Sequence, residues 1–244
     1  MQSPQLVLGL FPEWFALPQT DWPPNVHLTG FVMDESQSAP PTPDLDKFLG
    51  CGPVALFTAG SEAKLEGFFR ESVEVARLAG VKALFVGKHR MPVFDQLPAH
   101  VQHAAWVPFQ EVLSRCAAVV HHGGIGTFAH AVKAGVPQLV VPHAHDQPDH
   151  ALRVERLGLG RSLYPEKYRG VRAAAMLKEL IESKVIRNRC SEFRAQMDGT
   201  RALAKACSLL ESLGVAAVSA DTPQRVSERA GDDALGHRQD EQTV

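Results

Sequence analysis

The sequence has few cysteines, almost no net charge and no long apolar run, and each of these shortages excludes a class of protein. The four cysteines, Cys51, Cys116, Cys190 and Cys207, form no close pair, which argues against a disulfide framework and a cysteine-based zinc site. A net charge of −2 at pH 7 argues against nucleic acid as a partner.

The chain also lacks membrane and export signals. No apolar run approaches the roughly 18 residues of a membrane-spanning helix. The N-terminus has no basic segment followed by an apolar one, so we expect a cytoplasmic protein without an integral membrane segment. Hydrophobic residues make up 45% of the 244 positions, which is enough for one domain with a substantial core and extensions.

Short apolar runs alternate with helical patterns through the middle of the chain. The predicted elements are strands at 54–58, 83–86, 101–107 and 117–120, and helices at 62–79, 109–115, 171–183 and 188–213. This alternation predicts an α/β fold with a Rossmann-like, doubly wound and mostly parallel sheet, whose ligands bind at the carboxyl ends of the strands. The polar segment 215–244 is predicted to be a disordered tail.

A glycine-rich turn follows the last of these strands. Gly123, Gly124 and Gly126 let the backbone bend and approach a ligand closely. A helix is predicted to start near Gly126, and its first amides have no intrahelical partners. Because such amides bind anions, the turn predicts a diphosphate site, with His122 and Thr127 as further donors. The alternative is a tight strand-to-helix turn that binds nothing.

The same turn fits a second kind of site. Gly124, Gly126 and Ala129 match the fingerprint G-x-G-x-x-A, and Asp146 lies where a ribose-binding acid is expected. A nicotinamide- or flavin-dependent oxidoreductase is therefore an alternative. Against it, the fingerprint usually opens its domain, whereas here at least two strand–helix units come first.

Histidines and carboxylates cluster in sequence around the turn. The members are His121, His122, His143, His145, His150, Asp146 and Asp149. Imidazole and carboxylate groups bind zinc or manganese, so a metal site is another alternative. No H-E-x-x-H motif and no cysteine pair supports it. The other interpretation is that these groups supply polar donors to an anionic ligand.

Five motifs follow one another in a fixed order: W-V-P-F at 106–109, H-H-G-G-I-G-T at 121–127, G-V-P at 135–137, H-D-Q-P at 145–148 and R-V-E-R-L-G-L-G at 153–160. Together they resemble the donor-binding half of GT-B nucleotide-sugar glycosyltransferases. The chain is most similar to bacterial family 1 UDP-glycosyltransferase-like enzymes of the macrolide, glycolipid and sterol type. The resemblance runs from about Trp22 to about Leu213.

The resemblance implies a role for each matched residue. Trp106 would stack on the nucleobase, and the backbone of Val107 would hydrogen-bond the edge of the base. Asp146 and Gln147 would bind hydroxyls of the donor sugar. The diphosphate would be held by Ser61, His122, Gly123, Gly124, Gly126 and Thr127.

Structural alternatives exist for three of these residues. Ser61 also suits the N-cap of the helix that follows it, and Asp146 suits a helix N-cap ahead of Pro148. Trp106 also suits a core position at a strand end.

The chain departs from the family pattern at three positions. Plant members carry Gln where this chain has Phe109, and Glu, which contacts ribose, where it has His130. The position of His150 is often Asn in relatives. The contacts to base, ribose and sugar must therefore differ here.

The resemblance also implies that half of an enzyme is absent. Residues 1–50, rich in proline and expected to be extended, would be a remnant of an N-terminal domain and its linker, and residues 51–214 the nucleotide-sugar-binding domain. The acceptor half would be supplied elsewhere, and no catalytic residue is assigned in this chain. The implied function is inverting, metal-independent transfer from a UDP- or dTDP-sugar to a hydroxyl acceptor. The alternatives are a non-catalytic nucleotide-sugar-binding module, a degenerate remnant, or a nucleotide-sugar epimerase.

Overall fold

The structure is a computed structural model. It describes residues 3, 5–33, 40–60, 66–88 and 90–220, without the side chains of 214–220. Ser61 lies outside the described residues, so its two predicted roles stay predictions. The chain divides into a unit of residues 1–206 and a second unit of residues 207–244.

The first unit is built on a six-stranded sheet in which every strand pairing is parallel. The strands are β3 Val54–Thr58, β4 Lys82–Val86, β5 Val101–Ala104, β6 Ala118–His121, β7 Gln138–Val140 and β8 Gly160–Ser162. Their order in the sheet is β5-β4-β3-β6-β7-β8. Consecutive strands are added in one direction up to β5 and in the other from β6 onward. Ligands of such sheets bind at this switch point, between the carboxyl ends of β3 and β6.

Helices cover both faces of the sheet. They are α1 Pro43–Gly50, α2 Glu66–Ala79, α3 Phe109–Leu113, α4 Ile125–Ala134, α5 Gln147–Arg156, α6 Gly170–Glu182 and α7 Lys184–Arg194. A further helix, α8 Gly199–Ala220, follows them in the chain. The buried strand β3 shows the two layers: Ala55 and Phe57 pack into one apolar cluster, whereas Leu56 packs into the other. The predicted doubly wound α/β fold is confirmed.

The N-terminal segment packs into the same core. Strands β1 Val7–Gly9 and β2 Val26–Leu28 form a separate parallel pair. Between and after them, Phe15 and Phe31 are buried and contact Phe128 of α4, with ring centroids 5.1 and 5.9 Å apart. The described residues 5–33 therefore contribute directly to the packing of the first unit.

The expectation that the proline-rich stretch before residue 50 is extended is wrong for α1. This helix begins at Pro43, where a proline is tolerated because the first helical amides have no intrahelical partner. Thr42 caps it: the Thr42 hydroxyl accepts a hydrogen bond from the amide of Leu45 at 3.4 Å.

The predicted helix 188–213 is two helices. The α7 helix ends at Arg194 and α8 begins at Gly199, where the Asp198 carboxylate accepts from the amide of Arg201 at 2.9 Å. A glycine and a capping acid favour a helix start over a continuous helix. The α8 helix runs to Ala220, so residues 215–220 are helical rather than part of the predicted tail. Residues 221–244 lie outside the description.

Candidate functional site

A cavity of about 540 Å³ lies at the switch point of the sheet. It opens at the carboxyl ends of β3, β4, β5 and β6 and at the first turn of α4. Its walls include Trp106, Val107, His122, Gly124, Gly126 and Thr127. The structure thus brings together six of the ten residues that the sequence assigned to a nucleotide site.

The glycine turn leaves the first amides of α4 available. The α4 helix begins at Ile125, beside the predicted start at Gly126, and its N-cap is Gly124, which has no side chain to cap it. The first helical hydrogen bond is from Phe128 to the carbonyl of Gly124 at 3.0 Å. The amides of residues 125–127 therefore precede the hydrogen-bonded ladder, and the helix dipole adds partial positive charge there.

Gly126 keeps this helix end open to a ligand. A Cβ atom on Gly126 would meet no atom within 4 Å, so space lies directly above the backbone. Thr127, one residue on, is half-buried in the cavity wall, where its hydroxyl is an additional donor.

The His122 ring is held between two glycines. A Cβ atom on Gly60 would lie 2.8 Å from Nε2 of His122, and one on Gly124 would lie closer still. Nδ1 of His122 is buried without a hydrogen-bond partner. Burial lowers the pKa of His122, assisted by His143 and opposed by the carbonyl of Thr58. The imidazole is therefore mostly neutral at pH 7.

Gly123 serves the turn differently. It has a φ of 95°, and its N–H donates to Nδ1 of His121 at 3.1 Å. Its carbonyl accepts from Nδ1 of His150 at 2.7 Å. Gly123 thus provides the bend, and its own amide is not free for a diphosphate.

The opposite wall carries the exposed tryptophan. The β5 strand ends at Ala104 rather than at the predicted Val107, and Trp106 lies in the loop beyond it with 60% of its surface exposed. The alternative of a core tryptophan is therefore wrong. Val107 is buried, and its backbone N–H and C=O make no hydrogen bond within the described residues.

Two departures from the family pattern contact each other in the lining of the cavity. The rings of Phe109 and His130 meet edge to face at 5.6 Å. Nδ1 of His130 is buried without a partner, and burial lowers the pKa of this imidazole. The pair presents an aromatic surface where plant members carry two polar side chains.

Asp146 and Gln147 lie beside this cavity rather than in its wall. They follow β7, the strand next to β6, and Asp146 is at the N-cap position of α5, where its carboxylate makes no capping hydrogen bond. Its predicted capping role is wrong in this respect. Oε1 of Gln147 accepts from the amides of His143 and Ala144 at 2.8 and 3.1 Å, which holds the loop.

The histidine cluster does not form a metal centre in the described part of the chain, where no three His, Cys, Asp or Glu side chains are grouped to hold an ion. His121 is fully buried and its Nε2 lies 3.0 Å from Oε1 of Gln138. His150 is turned inward and is 7% exposed. Sequence analysis did not predict that these two histidines are buried and hydrogen-bond within the protein, because no local sequence pattern shows which way a histidine side chain points.

Gly60 was not assigned to the site either. A glycine two residues after a buried strand was the available signal, and its φ of 86° confirms a conformation that favours glycine.

Among the described residues, none of the helices combines the length and apolarity needed to cross a lipid bilayer.

Comparison with known proteins identifies similar chains. A family model described as "Erythromycin biosynthesis protein CIII-like, C-terminal domain" matches residues 74–210. The O-mycaminosyltylonolide 6-deoxyallosyltransferase of Streptomyces fradiae is 32% identical over 83% of this chain and 48% of its own length. The elloramycin glycosyltransferase ElmGT of Streptomyces olivaceus is 40% identical over 59% of this chain and 38% of its own.

Solved structures show the same relation. The glycotransferase of kitacinnamycin has a TM-score of 0.70 at 26% identity, over 85% of this chain and 55% of that one. The calicheamicin glycosyltransferase CalG4 has a TM-score of 0.67 at 25% identity, over 92% and 53%. The chain spans about half the length of these proteins.

Proposed function

Because the chain belongs to the erythromycin biosynthesis protein CIII-like, C-terminal domain family, we propose that it is the donor-binding half of a glycosyltransferase. It binds a UDP- or dTDP-sugar in the cavity between β3 and β6. The observation that carries this proposal is the meeting, in one cavity, of uncapped helix amides, the His122 imidazole and the exposed face of Trp106.

Each part of the donor has a matching surface. The nucleobase stacks on Trp106 and its edge bonds the free backbone of Val107. The diphosphate lies against the amides of residues 125–127, His122 and Thr127, with Ser61 as a further predicted contact. The donor sugar extends towards Asp146 and the amide nitrogen of Gln147, since Oε1 of Gln147 already holds the loop.

This half contributes to catalysis through the leaving group. Negative charge develops on the diphosphate as the bond to the sugar breaks. The fixed amides and dipole of α4 stabilise that charge without reorganising, and the proposed transfer needs no metal ion. The acceptor site and the base that deprotonates the acceptor hydroxyl are proposed to lie outside these 244 residues, in the same or another polypeptide.

The oxidoreductase alternative is less favoured by the topology. In a dinucleotide-binding domain, the glycine fingerprint follows the first strand of the sheet. The first strand of the six-stranded sheet in this chain is β3. In this chain the fingerprint glycines follow β6 instead.

A cytoplasmic location is also part of the proposal, because all four cysteines are free thiols, as expected in a reducing compartment.

Calorimetric titration with UDP and dTDP tests the proposal. We expect saturable binding of at least one nucleotide, and its loss in His122→Ala. His100→Ala is the matched control, because His100 is half-buried away from the cavity and its Nε2 contacts the carbonyl of Val73 at 3.3 Å. A folded protein that binds neither nucleotide at millimolar concentration would refute the donor-site assignment.

A further inference from the structure

The backbone of Gly123 is held by two histidines, one at its N–H and the other at its carbonyl. Nδ1 of His121 accepts its N–H at 3.1 Å, and Nδ1 of His150 lies 2.7 Å from its carbonyl oxygen. His121 belongs to β6, whereas His150 belongs to α5, so the turn between β6 and α4 is tied to a third element.

The hydrogen-bond geometry defines whether Nδ1 carries a hydrogen in each of the two rings. Nδ1 of His121 accepts a hydrogen bond and therefore carries no proton, so its Nε2 donates to Oε1 of Gln138 at 3.0 Å. Nδ1 of His150 faces a carbonyl oxygen, which only accepts, and therefore carries a proton.

The orientation of the His150 ring is also determined. The ring is 7% exposed and packs against Phe15 with centroids 5.6 Å apart. Nε2 of His150 lies 3.6 Å from Oδ2 of Asp146, which adds an ion pair when the ring is protonated. With Nε2 towards Asp146, Nδ1 points at Gly123.

The backbone conformation of Gly123 sets the direction of the first amides of α4, which begins two residues later. Gly123 has a left-handed φ of 95°, and a Cβ atom there would lie 3.0 Å from Val140 and 3.3 Å from Cβ of Gln147. A rotation of the peptide between Gly123 and Gly124, whose carbonyl faces His150, would redirect the amides of residues 125–127, which follow in the chain.

We propose that His150 is a positioning residue for the diphosphate: its Nδ1–H holds the Gly123 carbonyl and thereby aims the free amides of α4 into the cavity. This inference rests on the proposed function. It assigns to His150 a role one step removed from the ligand, through the glycine turn and not through contact with the donor sugar.

Two amide substitutions separate this role from simple packing. In His150→Asn, the side-chain amide occupies the place of Nδ1 and still donates to the Gly123 carbonyl. In His150→Gln, the amide reaches the place of Nε2 and the bond to Gly123 is lost. Both variants replace the ring by a smaller amide, so a purely structural role predicts similar effects.

The experiment is calorimetric titration of the full chain with UDP and dTDP, together with thermal melting. We expect His150→Asn to bind within about twofold of the unaltered protein, and His150→Gln to bind about tenfold more weakly, as for the loss of one hydrogen bond. The control His100→Asn exchanges a histidine whose ring contacts Val73 instead, and it should bind normally.

The possible results are distinguishable. If the two amide variants bind equally, or if affinity follows melting temperature and not the position of the donor, the positioning role is overturned while the donor site stands. If the unaltered protein binds neither nucleotide, the proposed function fails and the positioning role fails with it.

Discussion

The imidazole of His122 occupies the space that a side chain at Gly60 would fill, since a Cβ atom on Gly60 would lie 2.8 Å from its Nε2. Gly60 follows β3 and His122 follows β6, so this contact joins the two strands at the switch point of the sheet. Gly60 and Gly124 therefore make room for a side chain, the imidazole of His122.

Gly124→Ala tests this relationship. The φ of Gly124 is −63°, which an alanine adopts without strain, so the expected effect comes from displacement of the His122 ring. We expect the protein to fold and its affinity for UDP and dTDP to fall by about tenfold or more, as for a lost charge-assisted contact. Calorimetric titration measures it.

Gly50→Ala is the control for that substitution. Gly50 ends α1, and a Cβ atom there would meet nothing within 4 Å. Its nucleotide affinity should equal that of the unaltered protein. Unchanged affinity in Gly124→Ala as well would show that the position of the His122 ring does not matter for binding.

Trp106→Ala separates binding from stability at the opposite wall. With 60% of its surface exposed, Trp106 contributes little to the core, so the free energy of unfolding should change by about 0.5 kcal/mol or less. Loss of the stacking between a base and an aromatic ring costs about 1–3 kcal/mol of binding free energy. This cost predicts a nucleotide affinity that is about 5- to 150-fold weaker.

Tyr164→Ala is the matched control, because Tyr164 is another aromatic residue with 52% exposure, outside the cavity wall. Urea unfolding and calorimetry of both variants give the comparison. Equal nucleotide affinity in the two variants would contradict stacking on Trp106.

The main secondary-structure elements around the site could be predicted from local sequence patterns. Buried strands are continuous apolar runs, as at 54–58, and a glycine turn before an amphipathic segment predicts the helix start that the structure places at Ile125. These features depend on residues that are neighbours in sequence, so the amino-acid sequence alone is enough to predict them. The roles of Trp106 and Asp146 came from the family resemblance and stay predictions.

The inward histidines could not be predicted in the same way. His150 lies two residues after Pro148 in a polar helix start, and its contact with Gly123 joins residues far apart in the chain. By contrast, α1 was predictable and was missed: Thr42, Pro43 and Asp44 are a cap, a first-turn proline and a first-turn acid.

Asp146→Ala tests whether this carboxylate is structural. Because it makes no capping hydrogen bond and is 61% exposed, we expect the free energy of unfolding to fall by about 0.5 kcal/mol or less. Ser183→Ala is the control: Ser183 caps α7 by accepting from the amide of Ile186 at 3.2 Å, and its loss should cost about 1 kcal/mol. Urea unfolding that ranks the two variants in the opposite order would restore a capping role to Asp146.

The buried His121 predicts how stability depends on pH. Burial lowers the pKa of His121 from 6.5 to about 3, assisted by His122. Below pH 6.5 the unfolded chain binds a proton at this residue that the folded chain does not. The stabilisation is therefore complete above pH 6.5 and decreases as the pH falls towards 3. Between pH 7.5 and 5.0 this residue alone should remove about 2 kcal/mol from the free energy of unfolding.

His121→Asn isolates that contribution, because the Asn oxygen takes the place of Nδ1 and still accepts the amide of Gly123. We expect the variant to lose about 2 kcal/mol less than the unaltered protein over the same pH range, measured by urea unfolding at each pH. Val120→Ala, a fully buried neighbour on β6, is the control for general destabilisation. It lowers stability without removing a titrating group, and should keep the pH slope of the unaltered protein. Equal slopes in all three proteins would mean that His121 takes up its proton in the folded state, and that its hydrogen bond with Gly123 is broken and remade as the pH changes.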